Sequence, residues 1–104
     1  MEHSIRPYIH NENPKYTTLF TEIHKLPLVE LNKIIADIEN VFNGKYKVSS
    51  FCGDVVSTVE FDKDISRIEY YSETIGEEPT IDIYNMLKAY RDKLVEYQKT
   101  KSQD

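Results

Sequence analysis

The sequence predicts a small α+β domain: a helix, a three-stranded antiparallel meander and a C-terminal helix, with the helices packed on one face of the sheet. Three observations predict it. Apolar residues recur with the helical period before residue 43 and again after residue 80, and between these stretches the period changes to two. The chain of 104 residues is 39% apolar and has no low-complexity tract, which fits one domain of ordinary size. A three-stranded sheet is stable only when an amphipathic layer covers one of its faces, and that assigns the two helices their place.

Residues 1–15 mix Pro7, Pro14, Asn11 and Asn13 with few apolar residues, so they read as an extended N-terminal arm pinned by Ile5, Tyr8 and Ile9. The domain proper is expected over residues 16–99, and residues 100–104 should fray. Over residues 16–26, Tyr16, Thr17 and Thr18 favour a strand. Leu19, Phe20 and Ile23, at i, i+1 and i+4, suit a short helix instead, which is the reading adopted. From residue 27 to residue 42, Leu28, Leu31, Ile34, Ile35, Ile38, Val41 and Phe42 keep to one helical face, and polar residues fill the other. Pro27 suits the first turn, where its missing N–H costs nothing, and Asn43-Gly44 supplies the left-handed stop.

After Gly44, residues 46–51, 55–61 and 65–72 are rich in β-branched and aromatic residues. Val55, Ser57, Val59 and Phe61 share one face of the middle run, while Ile68 and Tyr70 alternate with Arg67, Glu69 and Tyr71 on the third. Tyr70 and Tyr71 should therefore point to opposite faces, one buried and one exposed. The segments 52–54 and 62–64 have the turn chemistry that joins antiparallel strands. Residues 73–80, punctuated by Gly76 and Pro79, read as a loop, after which Thr80 is placed to cap a helix with Asp82 in its first turn. Ile83, Met86, Leu87, Tyr90, Leu94 and Tyr97 form the apolar stripe of that helix.

Charge is distributed unevenly. The net charge is -5, and residues 60–82 alone carry eight acids against Lys63 and Arg67. Glu60, Asp62, Asp64, Glu69, Glu73, Glu77 and Glu78, with Tyr71 as aromatic anchor, are thus the candidate partner-binding residues. Such a patch steers a basic partner and fixes its register, with Tyr70 and Tyr84 as further anchors nearby. The same acids also suit a solvated hairpin edge that resists strand-to-strand aggregation. The mean field of the chain repels phosphate backbones and anionic lipid, which argues against nucleic acid and membrane as partners.

Chemistry-bearing motifs are sparse. Asp62 to Glu73 places oxygen ligands at several positions of a calcium loop, but Arg67 stands where the sharp turn needs glycine. His3, His10 and His24 lack zinc-like spacing. Ser49, Ser50 and Cys52 lie near Gly53 without a nucleophile elbow, and Cys52 reads as a half-buried apolar residue at a strand end. With three glycines in the chain there is no loop to cradle phosphate, so no cofactor is expected and the chain does not read as an enzyme. A single cysteine permits no internal disulfide, and the N-terminal residues lack the apolar core of a secretory signal, so the expected location is the cytoplasm.

The stretch GDVVSTVEFDKDISRIEYYSETIGEEPTIDIYNMLKAYRDKLVEY, an acidic hairpin leading into a final amphipathic helix, resembles the small cytosolic immunity proteins of bacterial toxin systems, including contact-dependent growth inhibition. The resemblance covers the last half of the chain and lies in size, acidity and the closing helix, without a diagnostic motif. It implies a stoichiometric inhibitor of a co-produced toxin. Such toxins are often nucleases with basic active sites, which an acidic hairpin would fill as a mimic of nucleic acid. The alternative reading is an adaptor or regulatory subunit of a larger cytosolic complex, in which the acids only solubilise.

Overall fold

Asn13 starts the ordered helical layer. Its side chain accepts a hydrogen bond from the Lys15 amide at 3.0 Å, and Pro14 opens a 3-10 turn (Pro14–Tyr16) that runs into helix α1 (Thr17–His24). The computed structural model describes residue 9, residues 12–53 and residues 55–102. Helix α2 (Leu28–Phe42) follows, then strands β1 (Ser49–Cys52), β2 (Ser57–Phe61), β3 (Ile65–Tyr70) and β4 (Glu73–Pro79), and finally helix α3 (Thr80–Ser102). The proposed pins Ile5 and Tyr8 lie outside the described residues, as do His3, His10 and Asp54. Ile9 packs against the core, and its amide donates to His24 Nε2 at 2.8 Å, which requires a neutral imidazole.

The helix from residue 27 forms as its apolar period dictates. Pro27 sits just outside α2 in extended conformation, and Leu31, Ile34, Ile35, Ile38 and Val41 are buried on one side. Gly44, with φ of 82°, turns the chain out after the last helical residue. On α3, Ile83, Leu87, Tyr90 and Leu94 are buried, while Met86 and Tyr97 lie half-buried against the same core.

The sheet has four antiparallel strands in the order β1-β2-β3-β4, not three. The expected loop over residues 73–80 is strand β4, paired with β3 from Tyr70↔Glu73 to Ile65↔Pro79. Its composition hid it. Pro79 stands at the end of an edge strand, where a missing N–H breaks no ladder, and Glu73 and Glu77 face solvent as edge residues do. Gly76 is required for another reason: a Cβ there would run into the Tyr16 phenol, which lies across the strand. A register shift beside Ile68/Glu69 leaves Ile75 as the extra residue, half-buried against the core.

Phe51, Val59, Phe61, Ser66 and Ile68 line the buried face of the sheet, with Val59 opposite both Phe51 and Ile68. Each fully buried aliphatic of this kind contributes about 1.5–3 kcal/mol. The helical side is built from three helices and the 3-10 turn rather than two helices: α1 meets β2, α2 meets β1, α3 meets β3 and β4, and α2 packs on α3.

Local expectations need three further corrections. Strand β2 begins at Ser57, so Val55 sits in the preceding loop and is 80% exposed. Tyr70 and Tyr71 are both exposed, because the strand ends at Tyr70 and Tyr71 turns away with φ of 51°; their rings meet edge to face at 4.7 Å. Thr80 is fully buried and its hydroxyl donates to the Asp62 carbonyl at 2.8 Å and meets Ser66 Oγ at 2.9 Å. It ties α3 to the β2–β3 turn.

Candidate protein-binding surfaces

Pairing register decides which acids meet. Glu60 on β2 and Glu77 on β4 flank Arg67 on β3, and all three point away from the helices. Arg67 Nη1 donates to Glu60 Oε1 at 3.1 Å, and its Nε lies 3.7 Å from Glu77 Oε2. Both pairs are solvent-exposed, so each is worth at most about 1 kcal/mol. They hold the three side chains in a row across the sheet. Glu69, two residues along β3 from Arg67, shares that face. A hollow of about 240 Å³ opens beside the row, with Val48 and Ile65 among its apolar walls and Glu60, Asp62, Glu77 and Arg67 as its charged residues.

Asp62 also builds the turn. Its Oδ1 accepts the amides of Asp64 and Ile65, both at 2.8 Å, and the Ile65 amide, then the Asp64 amide, holds its carboxyl below the usual carboxylate range. Asp64 is exposed beside it, and its carbonyl accepts the Thr80 amide at 3.0 Å. Tyr71 and Glu73 lie at the other end of β3, roughly 20 Å away at the rise of an extended strand. That exceeds the Debye length of about 8 Å at physiological salt, so the two ends act independently. The acids form one cluster in sequence and several in space.

Glu78 belongs to neither group. It shares the helix-facing side of β4 with Gly76 and accepts the Tyr16 hydroxyl at 2.8 Å. Burial of Tyr16, with Glu78 beside it, pushes the phenol up to about 12. Around this pair runs a groove of about 700 Å³, with Glu78, Glu12 and Asp82 as its acids and Phe20, Ile83 and Met86 among its apolar walls. The groove has no counterpart in the sequence reading, since Glu12 and Asp82 lie 70 residues apart in the chain.

Sequence reasoning also missed Glu22. Its carboxylate is 5% exposed and accepts the amides of Val55, Val56 and Ser57 at 3.0, 3.2 and 3.1 Å, fastening the β1–β2 loop to α1. A signal was present: Glu22 falls three residues after Leu19 and next to Ile23, on the apolar face of a short helix.

Other candidates take ordinary places. Tyr84 is half-buried, donates to Glu39 Oε2 at 2.6 Å and packs edge-on to Phe42. Cys52 is exposed, not half-buried, because it points to the uncovered face opposite Thr58. Among the described residues no group of three or more His, Cys, Asp or Glu could hold a metal ion, and no helix is long and apolar enough to cross a membrane. Comparison with family models, curated proteins and solved structures finds no match to this chain.

Proposed function

We propose that this chain is a non-catalytic protein-binding module of the immunity type, which neutralises a basic cognate toxin, a nuclease in the simplest case, through the uncovered acidic face of its sheet. The observation that carries the reading is the row Glu60–Arg67–Glu77 beside the hollow walled by Val48 and Ile65. Val48 is 55% exposed and Ile65 43% exposed. Apolar side chains ringed by carboxylates give a basic surface both area to bury and charge to meet. Asp62 and Asp64 extend the negative field over the adjoining turn, and Glu69 extends it along β3.

The test is capture of the partner by the tagged protein from its native lysate, at low and then moderate salt. Wild-type protein is expected to retain a basic protein that elutes as salt rises. A variant with Glu60→Gln, Glu69→Gln and Glu77→Gln should retain much less. Asp62 is best changed to Asn, which keeps an acceptor oxygen for the turn amides while removing charge. Retention of a large assembly by wild type and variant alike would replace this reading with that of an adaptor subunit.

A further inference from the structure

The groove around Tyr16 is chemically one-sided. It is lined by residues from the segment before the 3-10 turn, from α1, from the helix-facing side of β3 and β4, and from the start of α3. Among the described residues, its ionisable side chains are Glu12, Glu78, Asp82 and the Tyr16 phenol, with no lysine, arginine or histidine. Its apolar walls include Phe20 and Met86, which are half-buried and so retain surface to cover. Glu78 is fixed by the Tyr16 hydroxyl, and Asp82 by its place in the first turn of α3. Volume, apolar walls and charge of a single sign therefore coincide on the opposite side of the sheet from the Glu60–Arg67–Glu77 row.

We infer that this groove is a docking site for a cationic amphipathic segment of polypeptide, an arginine or lysine beside an apolar side chain. The apolar side chain and the aliphatic stem of the cation would cover Phe20 and Met86, and the charged head would reach Glu78 and Asp82. A cavity of about 700 Å³ has room for two or three side chains. The inference deepens the reading of a basic partner, and rests on it for the protein to which the segment belongs. It adds a second point of attachment on the other side of the sheet. A partner engaging both would wrap the edge strand β4.

The test uses the full chain labelled with ¹³C at the methionine methyls, of which Met86 lies in the groove and Met1 is the only other. The probe is a short acetylated peptide alternating leucine and arginine, with its leucine–glutamate counterpart as control. The Met86 signal should shift saturably with the arginine peptide and stay fixed with the glutamate peptide. Affinity should fall about fivefold in Asp82→Asn combined with Glu78→Gln, as expected for two partly screened charges. Asp82→Asn alone leaves the Tyr16–Glu78 bond in place and should give part of that loss. Glu60→Gln with Glu77→Gln should leave peptide binding unchanged, so a failed groove is distinguishable from a failed outer face. No saturable shift, an equal response to the glutamate peptide, or indifference to the Asp82 and Glu78 changes would each overturn the inference. So would a Met86 shift that depends on protein concentration alone, which would assign the groove to a second copy of the chain.

Discussion

The phenol of Tyr16 lies across Gly76 with no space for a Cβ between them, and its hydroxyl ends on the Glu78 carboxylate at 2.8 Å. A ring from the start of the helical layer thus locks onto the edge strand of the sheet. An added Cβ would also meet Cζ and Cε1 of the ring at 2.8 and 2.9 Å, which a rigid ring cannot yield without moving the turn that carries it. Gly76→Ala is therefore expected to cost about 2 kcal/mol in urea denaturation, within the range for overpacking. In a Tyr16→Leu background the same change should cost much less, giving a clear coupling energy.

The same contact makes stability depend on pH at the alkaline end. Burial and Glu78 raise the Tyr16 phenol from 10.0 to about 12 in the folded protein. The folded chain therefore holds this proton more tightly than the unfolded chain. The associated stabilisation is complete below pH 10 and is lost as pH rises from 10 to about 12. Between pH 9 and 12 the wild type should lose about 2 kcal/mol more than Tyr16→Phe, a difference that cancels the other tyrosines. Parallel curves would contradict it.

Glu22 is the buried charge on which the β1–β2 loop depends. Its carboxylate accepts three amides, and glutamine in its place would turn an NH₂ donor towards some of them. Glu22→Gln should cost about 3 kcal/mol, and amide exchange at Val55, Val56 and Ser57 should accelerate more than at Val59.

Tyr90 offers a gain. Tyr90 is 2% exposed and meets His24 edge-on at 5.3 Å, but its buried hydroxyl has no hydrogen-bond partner among the described residues. Phenylalanine keeps the ring contact and removes the stranded oxygen. Tyr90→Phe is expected to raise stability by about 1 kcal/mol, read as a higher urea midpoint at unchanged slope.

Helices α2 and α3 were legible in the sequence because their apolar periods are long, as in Leu31, Ile34, Ile35, Ile38 and Val41, whereas the short α1 gave strand and helix signals together. So were β2 and β3, where Val59, Phe61 and Ile68 alternate with polar residues. Strand β4 was not legible. Its outward side carries acids, its inward side is occupied by Gly76 and Glu78 under the Tyr16 ring, and neither gives an apolar alternation. The acids of the candidate surface could be found by counting charges, but their grouping could not. Register alone brings Glu60 to Arg67 and Arg67 to Glu77, and the length of β3 separates Asp62 from Glu73. Asp82 comes near Glu12 only through the packing of α3 on the sheet.

The proposed function requires the acidic outer face to bind a basic partner, which in an immunity pair is encoded beside its inhibitor. The most direct measurement is therefore the affinity of this chain for the product of the adjacent gene, titrated at about 50 and about 300 mM salt. Wild type should bind tightly at low salt and lose at least about tenfold at high salt, and Glu60→Gln with Glu69→Gln and Glu77→Gln should lose both affinity and salt dependence. No binding, or binding indifferent to salt and to the three substitutions, would contradict recognition of a basic partner by this face.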